Sequence, residues 1–164
     1  MTFANRAHLG AAMAAAFALA LGACAQEAPA PEPVEVEGVY PDLEISNARL
    51  VLAPVSGNPA ALYFDAVFNG ERGISITGAE VSGAANTMVH ATAEIGGKMT
   101  MGEVGPVALR SGVPQTFEPG GYHLMVMQLD EGIATGDTVE VTLKISGGKT
   151  HIFSAPVRAA GDER

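Results

Sequence analysis

Methionine and histidine crowd one part of this chain in a pattern that suits soft-metal chemistry. Of seven methionines, Met1 and Met13 lie near the N-terminus. The other five (Met88, Met99, Met101, Met125 and Met127) fall between residues 88 and 127, together with His90 and His123. Methionine ordinarily fills gaps in a core, but the spacing here argues for more than packing. In Tyr122-His123-Leu124-Met125-Val126-Met127, strand alternation puts His123, Met125 and Met127 on one face. Tyr122, Leu124 and Val126 form a credible core face on the other. Residues two apart along a strand are separated by ~6.5–7 Å, so an imidazole and a thioether can converge on one ion. Lys98-Met99-Thr100-Met101 repeats the alternation just after Gly96-Gly97, and a hairpin at that turn makes His90 and Met101 candidates to meet.

Thioether sulfur is a soft, neutral donor and imidazole a borderline one. Together they suit Cu(I), and they suit Zn, Mg or Ca poorly, because no thiolate or carboxylate belongs to the cluster. Thioethers also remain available in an oxidising compartment, where free thiols do not. Such a site needs no ligand deprotonation beyond neutral histidine, so binding is expected to persist at moderately low pH and to fail once the imidazoles protonate. Not every residue of these types reads as a donor. Met88 shares the face of His90 but reads as core, while Met99 and Met127 read as packing or supporting residues. His151, beside Lys149 and Thr150, reads as an exposed structural histidine.

The elements that must position these residues are strands. Short β-type runs are expected at Leu43–Leu52, Ala60–Phe68, Ile74–Val81, Met88–Ile95, Lys98–Val104, Gln115–Phe117, Tyr122–Leu129, Thr138–Ile145 and His151–Val157. Turn residues separate them, among them Ser56-Gly57-Asn58-Pro59, Asn69-Gly70, Pro119-Gly120-Gly121 and Gly147-Gly148. Many short strands at near-regular spacing predict an all-β sandwich or Greek-key barrel. No segment beyond the N-terminus sustains a helical period.

The chain has 164 residues, a one-domain length, with a formal net charge of −9 and no basic run. Affinity for phosphate backbones comes mainly from Lys and Arg, so nucleic acid is excluded as a partner. Residues 8–24 are nearly all apolar and small behind a single basic residue, Arg6, which describes a secretory signal. Leu21-Gly22-Ala23-Cys24 resembles the bacterial lipobox, in which the cysteine becomes a lipid-bearing N-terminus. A lone Cys also excludes an intramolecular disulfide. The organisation read from this is a lipoprotein signal peptide at 1–23 and a Pro/Glu-rich linker at 24–41 that starts from lipidated Cys24. A β-domain at 42–159 and a short tail at 160–164 follow. Prolines 29, 31 and 33 favour an extended, semi-rigid spacer.

The ligand-type residues carry a resemblance to a known family. His90, ten residues, Met101, twenty-one residues, His123, one residue, Met125 is similar to the His-x10-Met-x21-His-x-Met signature of the periplasmic copper chaperone PCu(A)C family. Asn58-Pro59-Ala60-Ala61-Leu62-Tyr63 and Pro119-Gly120-Gly121-Tyr122-His123-Leu124-Met125 resemble the family's characteristic segments, and the similarity spans roughly residues 43–158. The resemblance implies a cupredoxin-like Greek-key β-sandwich that holds one Cu(I) through His90, Met101, His123 and Met125. It further implies delivery to cytochrome c oxidase, chiefly its CuA centre, or to another extracytoplasmic copper protein. The lipid on Cys24 would then hold the protein on a membrane of the bacterial envelope, facing the periplasm. Two departures stand out. The C-terminus, Arg158-Ala159-Ala160-Gly161-Asp162-Glu163-Arg164, lacks the His/Met-rich tail of many members, and the first strand has Asn47-Ala48-Arg49-Leu50 where a tryptophan is common.

Other function classes fit less well. A blue-copper electron carrier needs a Cys thiolate beside two histidines, and Cys24 is in the wrong place for that. Hydrolytic enzymes would show a Gly-x-Ser-x-Gly elbow or paired carboxylates near a histidine, and neither is present, so the chain does not read as an enzyme. The competing expectation is a metal-free β-sandwich lipoprotein that serves as a binding or adhesion module of the envelope.

Overall fold

The computed structural model describes residues 38–162, so the segment expected to be a signal peptide, Cys24 and most of the linker lie outside the described residues. Among the described residues there are ten strands and no helix. They are β1 (Leu43–Val51), β2 (Ala60–Phe68), β3 (Ile74–Val81), β4 (Ala84–Ile95), β5 (Lys98–Glu103), β6 (Val107–Leu109), β7 (Gln115–Phe117), β8 (Tyr122–Leu129), β9 (Thr138–Ile145) and β10 (Lys149–Arg158). The nine expected runs match β1 to β5 and β7 to β10 to within a few residues. The additional strand, β6, is three residues long and leaves no alternation to read. It forms only by pairing Val107–Leu109 against Ile74–Ile76.

The strands run in the order β5-β4-β8-β7-β2-β1-β10-β9-β3-β6, a ten-stranded sheet that folds over into two layers. The layers join where β1 and β10 pair in parallel, Leu50 with Val157 and Val51 with Arg158. This is the all-β, cupredoxin-like sandwich expected from the sequence. Alternation explains the layering. In β9, Val139, Val141, Leu143 and Ile145 are buried while Glu140 and Lys144 face solvent. In β2, Ala60, Leu62, Phe64, Ala66 and Phe68 form the inner face. Phe64 stacks on Phe117 of its own layer at 4.3 Å and meets Phe153 of the opposite layer at 5.5 Å between ring centroids. Full burial of each such side chain is worth ~1.5–3 kcal/mol.

Two turns and a bulge shape the layer that carries β5, β4, β8, β2 and β1. Gly96 and Gly97 have φ of 61° and 78°, the positive values of the tight turn that closes a two-residue hairpin, and pair Ile95 with Lys98. Glu118-Pro119-Gly120-Gly121 forms a turn with proline second and Gly120 third, at φ 84°, closed by the Gly121 N–H donating to the Glu118 carbonyl at 3.0 Å. In β1 a bulge lies between Ser46 and Arg49, where Asn47 takes φ 52°, a conformation Asn tolerates better than most residues. The bulge sets Arg49 opposite Tyr63, with its guanidinium 5.1 Å from the Tyr63 ring centroid.

Candidate metal centre

Register decides which side chains share the outer face of β5, β4 and β8. His90 of β4 stands directly opposite His123 of β8, and Met88 opposite Met125. On the other side of β4, Thr92 faces Met101 and His90 faces Glu103. The hairpin therefore does not set Met101 directly beside His90. It offsets Met101 by two residues, and the side chain reaches across β4 to His123 instead. His123 Nε2 and Met101 Sδ are 3.1 Å apart.

His123 is held in one orientation. Its Nδ1 lies 3.1 Å from the Gly121 carbonyl oxygen, and a carbonyl can only accept, so Nδ1 carries the proton. The neutral ring then turns the Nε2 lone pair toward the Met101 sulfur. No hydrogen joins these two atoms, and 3.1 Å is a separation that two donors adopt around one first-row ion with bonds of ~2.0 Å to nitrogen and ~2.3 Å to sulfur. An imidazole anchored through its second nitrogen on a backbone carbonyl is the usual arrangement of a metal-binding histidine. The same carbonyl also accepts from the Thr92 N–H at 3.1 Å, which ties the Pro119–Gly121 turn to β4. His123 is only 5% exposed. Burial pushes its imidazole below the usual histidine range, and the neighbouring His90 pushes in the same direction, against the Gly121 carbonyl.

The His90 ring lies 5.9 Å from that of His123, edge on at 61°. Its Nδ1 is buried with no hydrogen-bond partner among the described residues. A buried polar atom without a partner is uncommon and calls for an explanation such as an ion. On the far side, Tyr63 packs 6.3 Å from His123 between ring centroids. Met125 is half-buried, two residues along β8 from His123 on the same face. Among the described residues no group of three or more His, Cys, Asp or Glu side chains is placed to hold a metal. Any ion held here would take thioether donors, and two imidazoles with two thioethers suit a soft monovalent cation.

Several expectations change. Tyr122, assigned to the core face with Leu124 and Val126, is 36% exposed, because it starts its strand at the edge of the layer and leans on Phe117 at 6.0 Å. Leu124 and Val126 are fully buried. His151, expected to be exposed, is 6% exposed. It accepts the Tyr40 N–H on Nδ1 at 3.1 Å, since the segment before β1 folds over the start of β10. Met88 and Met127 are half-buried on the site face, whereas Met99, expected to pack or to support the ligands, is 64% exposed. The anchoring Gly121 carbonyl is the feature sequence reasoning missed. Its only signal was the Pro-Gly-Gly turn two residues before His123.

The fold is that of PCuAC β-domains of known structure. The copper-bound PCuAC domain of PmoF2 superposes with a TM-score of 0.58 at 21% identity, over 72% of this chain and 93% of that one. DR1885 of Deinococcus radiodurans superposes in its apo form with a TM-score of 0.58 at 26% identity, over 95% of this chain and all of that one, and its Cu(I) form gives 0.57. Residues 43–157 match the family model described as "Putative lipoprotein LpqE-like", and the chain belongs to this LpqE-like family. A relative from Leifsonia xyli subsp. xyli, "Putative lipoprotein Lxx21020", is 32% identical over 152 residues, which cover 92% of this chain and 89% of the relative.

Proposed function

We propose that this protein is an exported copper chaperone. It holds one Cu(I) through His90, Met101, His123 and Met125 and passes it to an extracytoplasmic copper protein, for which the CuA centre of cytochrome c oxidase is the leading recipient. The observation that carries this reading is the anchored His123, whose Nε2 faces the Met101 sulfur at 3.1 Å beside the unpartnered His90 nitrogen. The copper-bound PmoF2 domain and the Cu(I) form of DR1885 support it through their shared fold. The lipoprotein names of the family and of the Leifsonia relative support an anchor at Cys24 and an envelope location. The residues 1–23, 24–41 and 42–159 then serve as export signal, spacer and carrier domain.

The chemistry is ligand exchange, not catalysis. Cu(I) sits among neutral donors, so the carrier adds no opposing charge and releases the ion to a partner offering thiolates or additional imidazoles. The inner donors are sheltered by Tyr63 and the strand face, while Met101 is 52% exposed and open to an incoming partner.

A Cu(I) competition titration against a chromophoric chelator, oxygen-free and reducing, tests the reading. One equivalent bound by the wild type, and weakened binding in Met101→Ile and Met125→Ile at unchanged fold, is the expected result, since both replacements are apolar and of similar size. No competition by a folded wild type would overturn it in favour of a metal-free envelope module. Appearance of the CuA absorbance in an apo oxidase subunit, after mixing with an excess of the loaded protein and adding a one-electron oxidant, tests the recipient.

A further inference from the structure

The β4–β5 hairpin exposes Ile95, Met99 and Met101 within seven residues of chain. Single exposed hydrophobes are ordinary, but Met99 is a soft donor in a particular place. Every residue of β5 is exposed, and β5 is the last strand of the sheet. Met99 precedes Met101 by two residues, so both project from the same face of that edge strand. Met99 does not belong to the core cluster or to the residues packed against it. Glu94 stands opposite Met99 in the register and puts negative charge beside it. Along one face the order from outside inward is Met99, Met101, His123, with His90 flanking His123.

We propose that Met99 is the transfer ligand of the copper site, an outer thioether that takes Cu(I) from the inner donors during handover. The proposal rests on the copper-carrier reading above. His90 is the inner donor best suited to let go first, because its ring lacks the backbone anchor that holds His123. In the step, the Cu–N bond to His90 breaks as a Cu–S bond to Met99 forms. The ion stays Cu(I), both donors are neutral, and no proton or electron moves. Met101 keeps its bond and swings outward on its flexible, three-torsion side chain. As a partner's thiolate or imidazole donors then bind beside Glu94, the Cu–N bond to His123 and the Cu–S bond to Met125 break in turn, and the ion leaves from the two exposed thioethers. Met99 thus sets the rate of release and leaves the equilibrium affinity to the inner donors.

The test compares wild type with Met99→Leu, which keeps shape and removes the sulfur. Equilibrium Cu(I) affinity by chelator competition is expected to stay within about twofold, while release to excess chelator in stopped flow slows by about tenfold, or ~1.4 kcal/mol in barrier. Titration with Ag(I), a redox-silent soft ion, supplies a second readout through the methionine methyl resonances. The Met101 and Met125 lines should move to fixed new positions while the Met99 line broadens by exchange. Release at the wild-type rate with an unmoved Met99 line would overturn the proposal. So would a loss of equilibrium affinity as large as that of Met101→Ile, which would make Met99 an inner ligand. Failure of the wild type to bind either ion would instead bring down the carrier reading itself.

Discussion

Two histidines in this molecule are almost equally buried, His123 at 5% and His151 at 6% exposure, and they are wired in opposite senses. The Nδ1 of His151 accepts the Tyr40 N–H, so the proton of the neutral ring sits on Nε2 and the imidazole serves to satisfy a backbone donor. The Nδ1 of His123 donates to the Gly121 carbonyl, so the lone pair is on Nε2, aimed at Met101. One ring closes a hydrogen-bond account within the fold, and the other offers a donor. Burial alone therefore does not separate these two histidines; the backbone group that meets Nδ1 does.

The sharpest way to break this contrast is to remove each ring in turn. His123→Ala is expected to weaken Cu(I) binding by more than the ~10–100-fold that loss of a supporting residue costs, measured by chelator competition. Folding stability should change far less. His151→Ala should do the reverse, leaving Cu(I) affinity unchanged while lowering the denaturation free energy by ~1–3 kcal/mol, because the Tyr40 N–H loses its acceptor. Equal effects of the two variants on copper would erase the distinction.

The anchor itself can be tested at the turn. Gly120→Ala places a side chain at φ 84°, at a cost of ~1–2 kcal/mol. It should also displace the Gly121 carbonyl, so Cu(I) affinity falls along with thermal stability. A fall in stability at unchanged affinity would show that His123 does not depend on that carbonyl.

Acid should act on both histidines with one sign. Burial lowers both imidazoles below the ordinary value of 6.5, so below that pH the unfolded chain binds protons that the folded chain refuses. Stability of the copper-free protein is then expected to fall as pH drops from about neutral through the depressed folded values and to level off beneath them. Equilibrium denaturation across that range checks this. His151→Phe should flatten the dependence in part and leave the share that belongs to His123. The smallest expected effect is that of Arg49→Gln, which removes the cation over Tyr63 and should lower stability by ~0.5–1 kcal/mol, with copper affinity close to wild type.

Much of this arrangement was legible beforehand, for local reasons. The Gly96-Gly97 and Pro119-Gly120 turns are demands of backbone geometry, and both occur where the residues require them. Period two alone separated His123 and Met125 from the buried Leu124 and Val126. Where local reasoning stopped, long-range pairing took over. β6 exists only because β3 offers it an edge. His151 is buried only because residues 38–40 fold back over it, with the Ile152 N–H donating to the Gly38 carbonyl at 2.6 Å and the Tyr40 N–H to His151 itself.

By itself, then, the sequence determined the strand class, the turns and the face that His123 and Met125 share, because these follow from steric limits acting over a few residues. The tertiary structure decided which of them meet. Register between β4, β5 and β8 set His90 against His123 and carried Met101 across a strand to the His123 nitrogen, while leaving Met99 outside. Such contacts depend on hydrogen bonds between segments far apart in the chain, and a shift of one residue in any pairing would turn each donor to the opposite face.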